Sequence, residues 1–210
     1  MTTHSLFYAA RLDVDYPQKL NRLTTLIRPI LIIPIYAVVS LLLGGGGFSY
    51  QISDNINFSL GGTEGIAVAT AIMIIFKKHY PRWWFDFERE LARFSARIAA
   101  YLLLLTDQYP STVNEQAVHL EIDYPNAKRD LNRWLPLVKW ILAIPHYILL
   151  TMLTFVAMFA VVYAWFAILI TGRYPKDIFD FVVGIGRWSL RVHAYAFLLV
   201  TDQYPPFSLS

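Results

Sequence analysis

The sequence predicts an all-α membrane protein built from two parallel-repeat transmembrane helical hairpins, four membrane helices in all. An amphipathic interfacial helix follows each hairpin, and short cytoplasmic β-strands precede them. Three observations carry this expectation. The 210-residue chain is 56% hydrophobic and only 16% charged, against about 25% charged in an ordinary soluble domain. Its 18 Lys and Arg residues all avoid residues 40–76 and 140–172, which lie at or between the most apolar runs. Positive charge is retained on the cytoplasmic side of membranes, so this geography predicts orientation as well as location. Finally, the chain is written twice.

The repeat is explicit. Leu12-Asp13-Val14-Asp15-Tyr16-Pro17 returns as Leu120-Glu121-Ile122-Asp123-Tyr124-Pro125, and Ile33-Pro34-Ile35-Tyr36 as Ile144-Pro145-His146-Tyr147. Tyr80-Pro81 and Phe85-Asp86-Phe87 return as Tyr174-Pro175 and Phe179-Asp180-Phe181. Thr106-Asp107-Gln108-Tyr109-Pro110 is repeated letter for letter at Thr201-Asp202-Gln203-Tyr204-Pro205. Residues 1–112 form the first expected unit and 113–210 the second.

Taken in order, the first 21 residues contain Asp13, Asp15, Tyr16 and Pro17 and lack a continuous apolar region. No cleaved signal peptide is expected there, and the first apolar run serves as an anchor. Residues 10–15 and 118–123 alternate apolar and polar side chains and end in Tyr-Pro, the pattern of a short strand entering a turn. These strands can pair with each other or with residues 101–105 and 195–200.

The membrane helices are expected at 23–43, 62–76, 137–153 and 156–170. The second is short, with Glu64 near its start; it would tilt, thin the bilayer or re-enter. Residues 137–170 are nearly uninterrupted, and such a run would make a helix about 51 Å long against about 30 Å of hydrocarbon. A turn is therefore expected within 153–160, although no Gly or Pro marks it. The first unit supports a break, because extra Gly-, Ser- and Asn-rich residues, 44–65, open its hairpin (about 23–76) into an outer loop. Two hairpins return every basic segment, and both termini, to the cytoplasmic face.

The amphipathic helices, about 85–105 and 178–199, share one spacing. Phe87, Leu91, Phe94, Ile98, Tyr101 and Leu105 match Phe181, Ile185, Trp188, Val192, Tyr195 and Leu199, while Arg93 and Arg97 match Arg187 and Arg191 on another face. Aromatics and arginines beside membrane spans favour a seat at the headgroup level over a soluble core helix.

The Asp-Tyr-Pro, Ile-Pro-His-Tyr, Thr-Gly-Arg-Tyr-Pro and Thr-Asp-Gln-Tyr-Pro-Pro-Phe elements resemble a bacterial membrane-protein family catalogued as domain of unknown function 4389, often present in tandem. The resemblance covers nearly the whole chain and is closest over residues 119–207. The first copy departs, with Ile35 in place of the His and a Gly-rich insertion. The resemblance supports the membrane architecture and supplies no reaction; the location expected for the whole chain is the bacterial inner membrane.

Candidate chemistry is sparse. There is no cysteine, so disulfides, thiolates and Cys-ligated metals are excluded. His146 stands in an apolar run beside Pro145; it could ligate a haem or pigment, but a hydrogen bond to a carbonyl freed by the proline is the favoured reading. Arg28 and Lys139, each six residues before a Pro, suit snorkelling to lipid headgroups, as do Arg93, Arg97, Arg187 and Arg191. Asp107 and Asp202, with Gln108 and Gln203, form a repeated polar motif. Brought together, the two carboxylates could share a proton or bind a cation; turn or capping carboxylates are the favoured reading. Asp86 and Asp180 read as helix N-caps. Gly44–Gly47 lacks the Lys-Ser/Thr of a phosphate loop, and no catalytic residues, metal site or cofactor are expected.

The net charge is +3, but the charges flank apolar runs instead of forming a basic face, so nucleic acid is not an expected partner. The expected function is a non-enzymatic accessory or scaffold subunit contacting membrane lipids and other membrane-protein subunits or itself. The alternatives are a small channel or transporter, a lipid-modifying enzyme using Asp107 or Asp202, and a cofactor-binding subunit using His146.

Overall fold

The computed structural model describes residues 8–43, 48–53, 56–60, 62–112 and 116–210. In chain order these form β1 (Ala10–Val14), α1 (Arg22–Leu43), β2 (Phe48–Ser53), β3 (Ile56–Leu60), α2 (Gly62–Lys77), α3 (Arg82–Leu102), β4 (Val118–Ile122), α4 (Pro136–Leu142), α5 (Ile144–Thr171) and α6 (Lys176–Ala196).

Of the two strand pairings open to the sequence, the chain adopts the first. β1 and β4 pair antiparallel with Ala10 opposite Ile122, Leu12 opposite Leu120 and Val14 opposite Val118. These apolar residues share one face, as a period of two requires. That face meets the amphipathic helices crosswise: β1 packs on α6 and β4 on α3. Each strand thus covers the helix of the other half.

The expectation of four membrane helices in two hairpins is overturned. Among the described residues one helix, Ile144–Thr171, is long and apolar enough to cross a membrane. α2 has only 16 residues, about 24 Å of helix. α1 covers the first expected span, but its side chains from residue 36 onward lie outside the described residues, as does Gly44–Gly47. The turn expected within 153–160 is absent: α5 runs unbroken for 28 residues, and the chain breaks earlier, at Ala143 between α4 and α5. The reason is Pro145. A proline fits the first turn of a helix, and with no N–H to donate to the carbonyl four residues back it interrupts the hydrogen-bond ladder there, although Ala143 itself keeps a right-handed helical backbone. Nothing in 153–160 offers such a break, and a turn there would free backbone groups among apolar side chains.

α5 also has a different partner from the one expected. It lies antiparallel along α6: Tyr147 near its start contacts Phe197, and the short connection Gly172–Pro175 joins its end to the start of α6. Gly172 has φ of 71° and caps α5 by donating to the Ile168 carbonyl at 2.7 Å, a left-handed turn that glycine adopts without strain. α6 itself is a core helix and not the expected interfacial one, with Val182, Val183, Ile185, Trp188, Val192 and Tyr195 among its buried residues. β1 on one side and α5 on the other use up its apolar stripe. The insertion expected as a loop carries an antiparallel hairpin, Phe48 opposite Leu60 and Tyr50 opposite Phe58.

Candidate functional site

Two equivalent ion pairs tie the Thr-Asp-Gln-Tyr-Pro segments to the helices that start each half. In the first, the Arg28 guanidinium pairs with Asp107 and donates to the Tyr101 carbonyl at 2.8 Å. The other Asp107 oxygen accepts the Asn21 N–H at 2.6 Å, and Asn21 Oδ1 accepts the Leu23 N–H at 2.9 Å, capping α1. In the second, Lys139 Nζ lies 2.7 Å from Asp202 and 2.6 Å from the Thr201 carbonyl. Asp202 accepts the Asn132 N–H at 2.5 Å, and Asn132 Oδ1 accepts the Trp134 N–H at 3.0 Å. The cations sit over the rings of Tyr101 and Tyr195, at 4.5 and 5.0 Å. Both cations are buried. Burial lowers the Lys139 pKa, and the Asp202 carboxylate opposes that shift. Among the described residues no contact joins Asp107 to Asp202; each is held by a cation and an Asn N–H of its own half.

The four helix arginines are turned toward protein. Arg93 Nε donates to the Leu120 carbonyl and Arg187 Nε to the Leu12 carbonyl, both at 3.0 Å, so each reaches the strand lying on its helix. Arg187 also meets Asp13 at 2.8 Å, and Arg93 meets Glu90 at 2.7 Å. Arg97 and Arg191 donate to the carbonyls of Ser111 and Ser208, each at 2.5 Å. Gln108 accepts the Ala117 N–H at 3.0 Å, and the Gln203 carbonyl accepts the Tyr8 hydroxyl at 3.0 Å. Asp86 and Asp180 do not cap α3 or α6; they meet Arg89 and Lys176, while Pro81 and Pro175 occupy the N-cap positions.

His146 accepts the Trp188 indole N–H at Nδ1, 3.0 Å away, and not a bond with a carbonyl. Nδ1 is therefore unprotonated and Nε2 carries the hydrogen. Phe207 stacks on the ring at 4.0 Å, and Nε2 is buried without a partner. A ligand at that nitrogen would have to displace packed aromatic side chains.

A second polar cluster was not read from the sequence. Glu88 is buried and accepts from the Thr70 hydroxyl at 2.6 Å and from the Tyr80 hydroxyl. Trp84 Nε1 donates to Thr70 at 2.7 Å. Burial pushes the Glu88 carboxyl up to about 7, against those hydrogen bonds. The available signal was an acid three residues after Phe85 on an apolar helix face, at a position where the second half has Val182. Among the described residues no three His, Cys, Asp or Glu side chains gather as a metal site.

One family model matches the α4–α5–α6 segment and its closing Thr-Asp-Gln-Tyr-Pro tail. Residues 134–208 match the family described as Domain of unknown function (DUF4389). The DUF4389 match contains Lys139, His146, Arg187, Arg191 and Asp202 and leaves the first half unmatched. No curated protein and no solved structure matches the chain.

Proposed function

We propose that this chain is a non-catalytic, lipid-contacting accessory protein of the bacterial inner membrane, built from two copies of one unit and seated on lipid by α5. One observation carries the reading. α5 buries a single stripe, His146, Leu150, Ala157, Ala164 and Ile168, while Phe155, Phe159, Tyr163, Phe166 and Ile170 are exposed. Only 17% of its most apolar stretch is buried. A core helix of a soluble protein is covered on most sides, and an apolar surface of this extent calls for lipid or a partner. Exposed Leu26, Ile30 and Ile33 of α1, and Leu137 and Ile141 of α4, extend the surface.

The packing favours a helix lying along the bilayer instead of across it. α6 runs beside α5 and carries Asp177, Asp180, Arg187 and Arg191; dragging it through hydrocarbon with α5 would be costly. Both ends of α5 also rest on one polar body, through Trp188 at His146 and through the Gly172 carbonyl accepting the Leu20 N–H at 3.0 Å. Exposed Arg22 and Arg173 beside the far end suit anionic headgroups. The twin ion pairs support duplication, because equivalent residues make equivalent bonds in both halves. The accessory role rests on the engagement of the named cations and carboxylates in internal bonds, and the expected partners are other membrane subunits or a second copy.

Cell fractionation tests the seat. The protein should sediment with membranes and need detergent for release. A double substitution Phe155→Asp/Phe159→Asp should move it to the supernatant with unchanged helical circular dichroism. Wild-type protein in the supernatant without detergent would overturn the proposal. Native mass spectrometry of the detergent extract then reads retained lipids, copy number and partner subunits.

A further inference from the structure

Between α3, α6 and the β1–β4 sheet lies a cavity of about 420 Å³, within the range of about 300–1,000 Å³ typical of small-molecule sites. Its origin is visible in the packing. α6 buries residues along most of its length, from Phe179 to Ala196, whereas α3 buries only Phe85, Glu88, Ala100 and Tyr101. Residues 91–98 of α3 are all half-buried, and several of them, Leu91, Ala92, Ser95 and Ala96, line this space beside the strand that packs on the helix. Ala92, Ala96 and Gly186 leave the walls thin, and Leu91, Leu120 and Leu190 make them apolar.

We infer that this cavity binds a single-chain lipid with an uncharged polar end, its hydrocarbon between α3 and α6 and its polar group beside Glu88 or His193. Both side chains line the space. Burial pushes the His193 imidazole down to about 4, so near neutral pH it offers one N–H donor and one acceptor without charge. Burial raises the Glu88 carboxyl to about 7, so it holds a proton far more readily there than an ordinary glutamate. Among the described residues no lysine or arginine lines the cavity, which disfavours a phosphate or carboxylate headgroup and favours a hydroxyl, ester or amide. The inference concerns a space walled by α3, α6 and the sheet, and does not depend on how α5 meets the bilayer.

The test is photo-crosslinking of protein purified in a steroid-based detergent, which has no long acyl chain to compete with the probe. The probe is a monoacylglycerol carrying a mid-chain diazirine, compared with the matching fatty acid and lysophosphatidylglycerol. The expected result is adducts on α3 and α6 around Leu91, Ala96 and Leu190, with the monoacylglycerol labelling at least fivefold more than either anionic probe. Ala96→Phe, which fills the cavity, and Ser189→Trp, at its exposed rim, should each cut those adducts at least fivefold. Ser189→Trp sits where the fold tolerates bulk, so a folding failure of the first variant leaves the second decisive. Adducts confined to the exposed faces of α5 and α1, labelling unchanged in Ser189→Trp, equal labelling by the anionic probes, or no adducts at all would overturn the inference.

Discussion

At the scale of single residues, the two ionisable groups facing the cavity respond to pH in opposite senses. The folded pKa of Glu88, about 7, lies above its ordinary 4.5. The native state therefore holds that proton more tightly than the unfolded chain. Its contribution to stability is complete below pH 4.5 and is lost as pH rises to 7, an amount of about 3 kcal/mol at 1.36 kcal/mol per unit. His193 falls from 6.5 to about 4. There the unfolded chain takes the proton more readily, so stability is lost as pH falls from 6.5 to 4. Over the shared window the two effects oppose each other. Urea unfolding of wild type between pH 4.5 and 6.5 should therefore be nearly flat. Glu88→Gln should uncover a midpoint that climbs steadily over that range, and His193→Phe a midpoint that declines. Identical profiles in all three proteins would refute the assignment.

At the scale of elements, each ion pair fixes a loop to a helix start, and its loss should be felt by the whole half. Lys139 is fully buried and Asp202 keeps 22% of its side-chain exposure. Removing the carboxylate strands a buried ammonium, which costs about 3–5 kcal/mol. Asp202→Asn should lower stability by that order, and Lys139→Met added to it should recover most of the loss, because an apolar residue of similar volume needs no counter-ion. If the double variant is as unstable as Asp202→Asn, the pair is not the source. This pairing shows what could be read beforehand. The spacing placed Lys139 and Asp202 at positions equivalent to Arg28 and Asp107, but nothing in a linear pattern says that a cation six residues before a proline turns inward to a carboxylate 63 positions away (139 to 202). Strand positions were legible from alternation, and α3 and α6 from their four-and-three steps. What covers a stripe was not, since β1 and a lipid surface look alike to an amphipathic helix. The turn in 153–160 was inferred from bilayer thickness, an assumption about surroundings, while Pro145 already marked the local break. The alternation of Phe48, Tyr50, Ile52 and of Ile56, Phe58, Leu60 was a strand signal hidden among Gly, Ser and Asn.

At the scale of the molecule, the proposed membrane seat raises the question of which way a 28-residue apolar helix would face a bilayer. Its length, about 42 Å, exceeds the hydrocarbon thickness of about 30 Å, so length alone permits a tilted crossing or a seat in the plane. In the proposed seat, charge on the neighbouring helix favours the second. If α5 crossed, Ile144 and Arg173 would open on opposite sides of the membrane; lying in the plane, both face the same side. The absence of cysteine makes this directly measurable. Single substitutions Ile144→Cys and Arg173→Cys, both at exposed positions, can be probed with a membrane-impermeant thiol reagent in intact spheroplasts and in inside-out vesicles. If the basic segments are cytoplasmic, as the charge distribution predicts, both cysteines should react in inside-out vesicles and neither in spheroplasts, and detergent should leave the extent of labelling in vesicles unchanged. Reaction of one position from each side would establish a crossing helix, and α6 would then have to carry Arg187 and Asp180 into hydrocarbon or separate from α5. Separation has its own signature, because Tyr147 and Phe197 would no longer touch and a disulfide engineered between those two positions would fail to form in membranes.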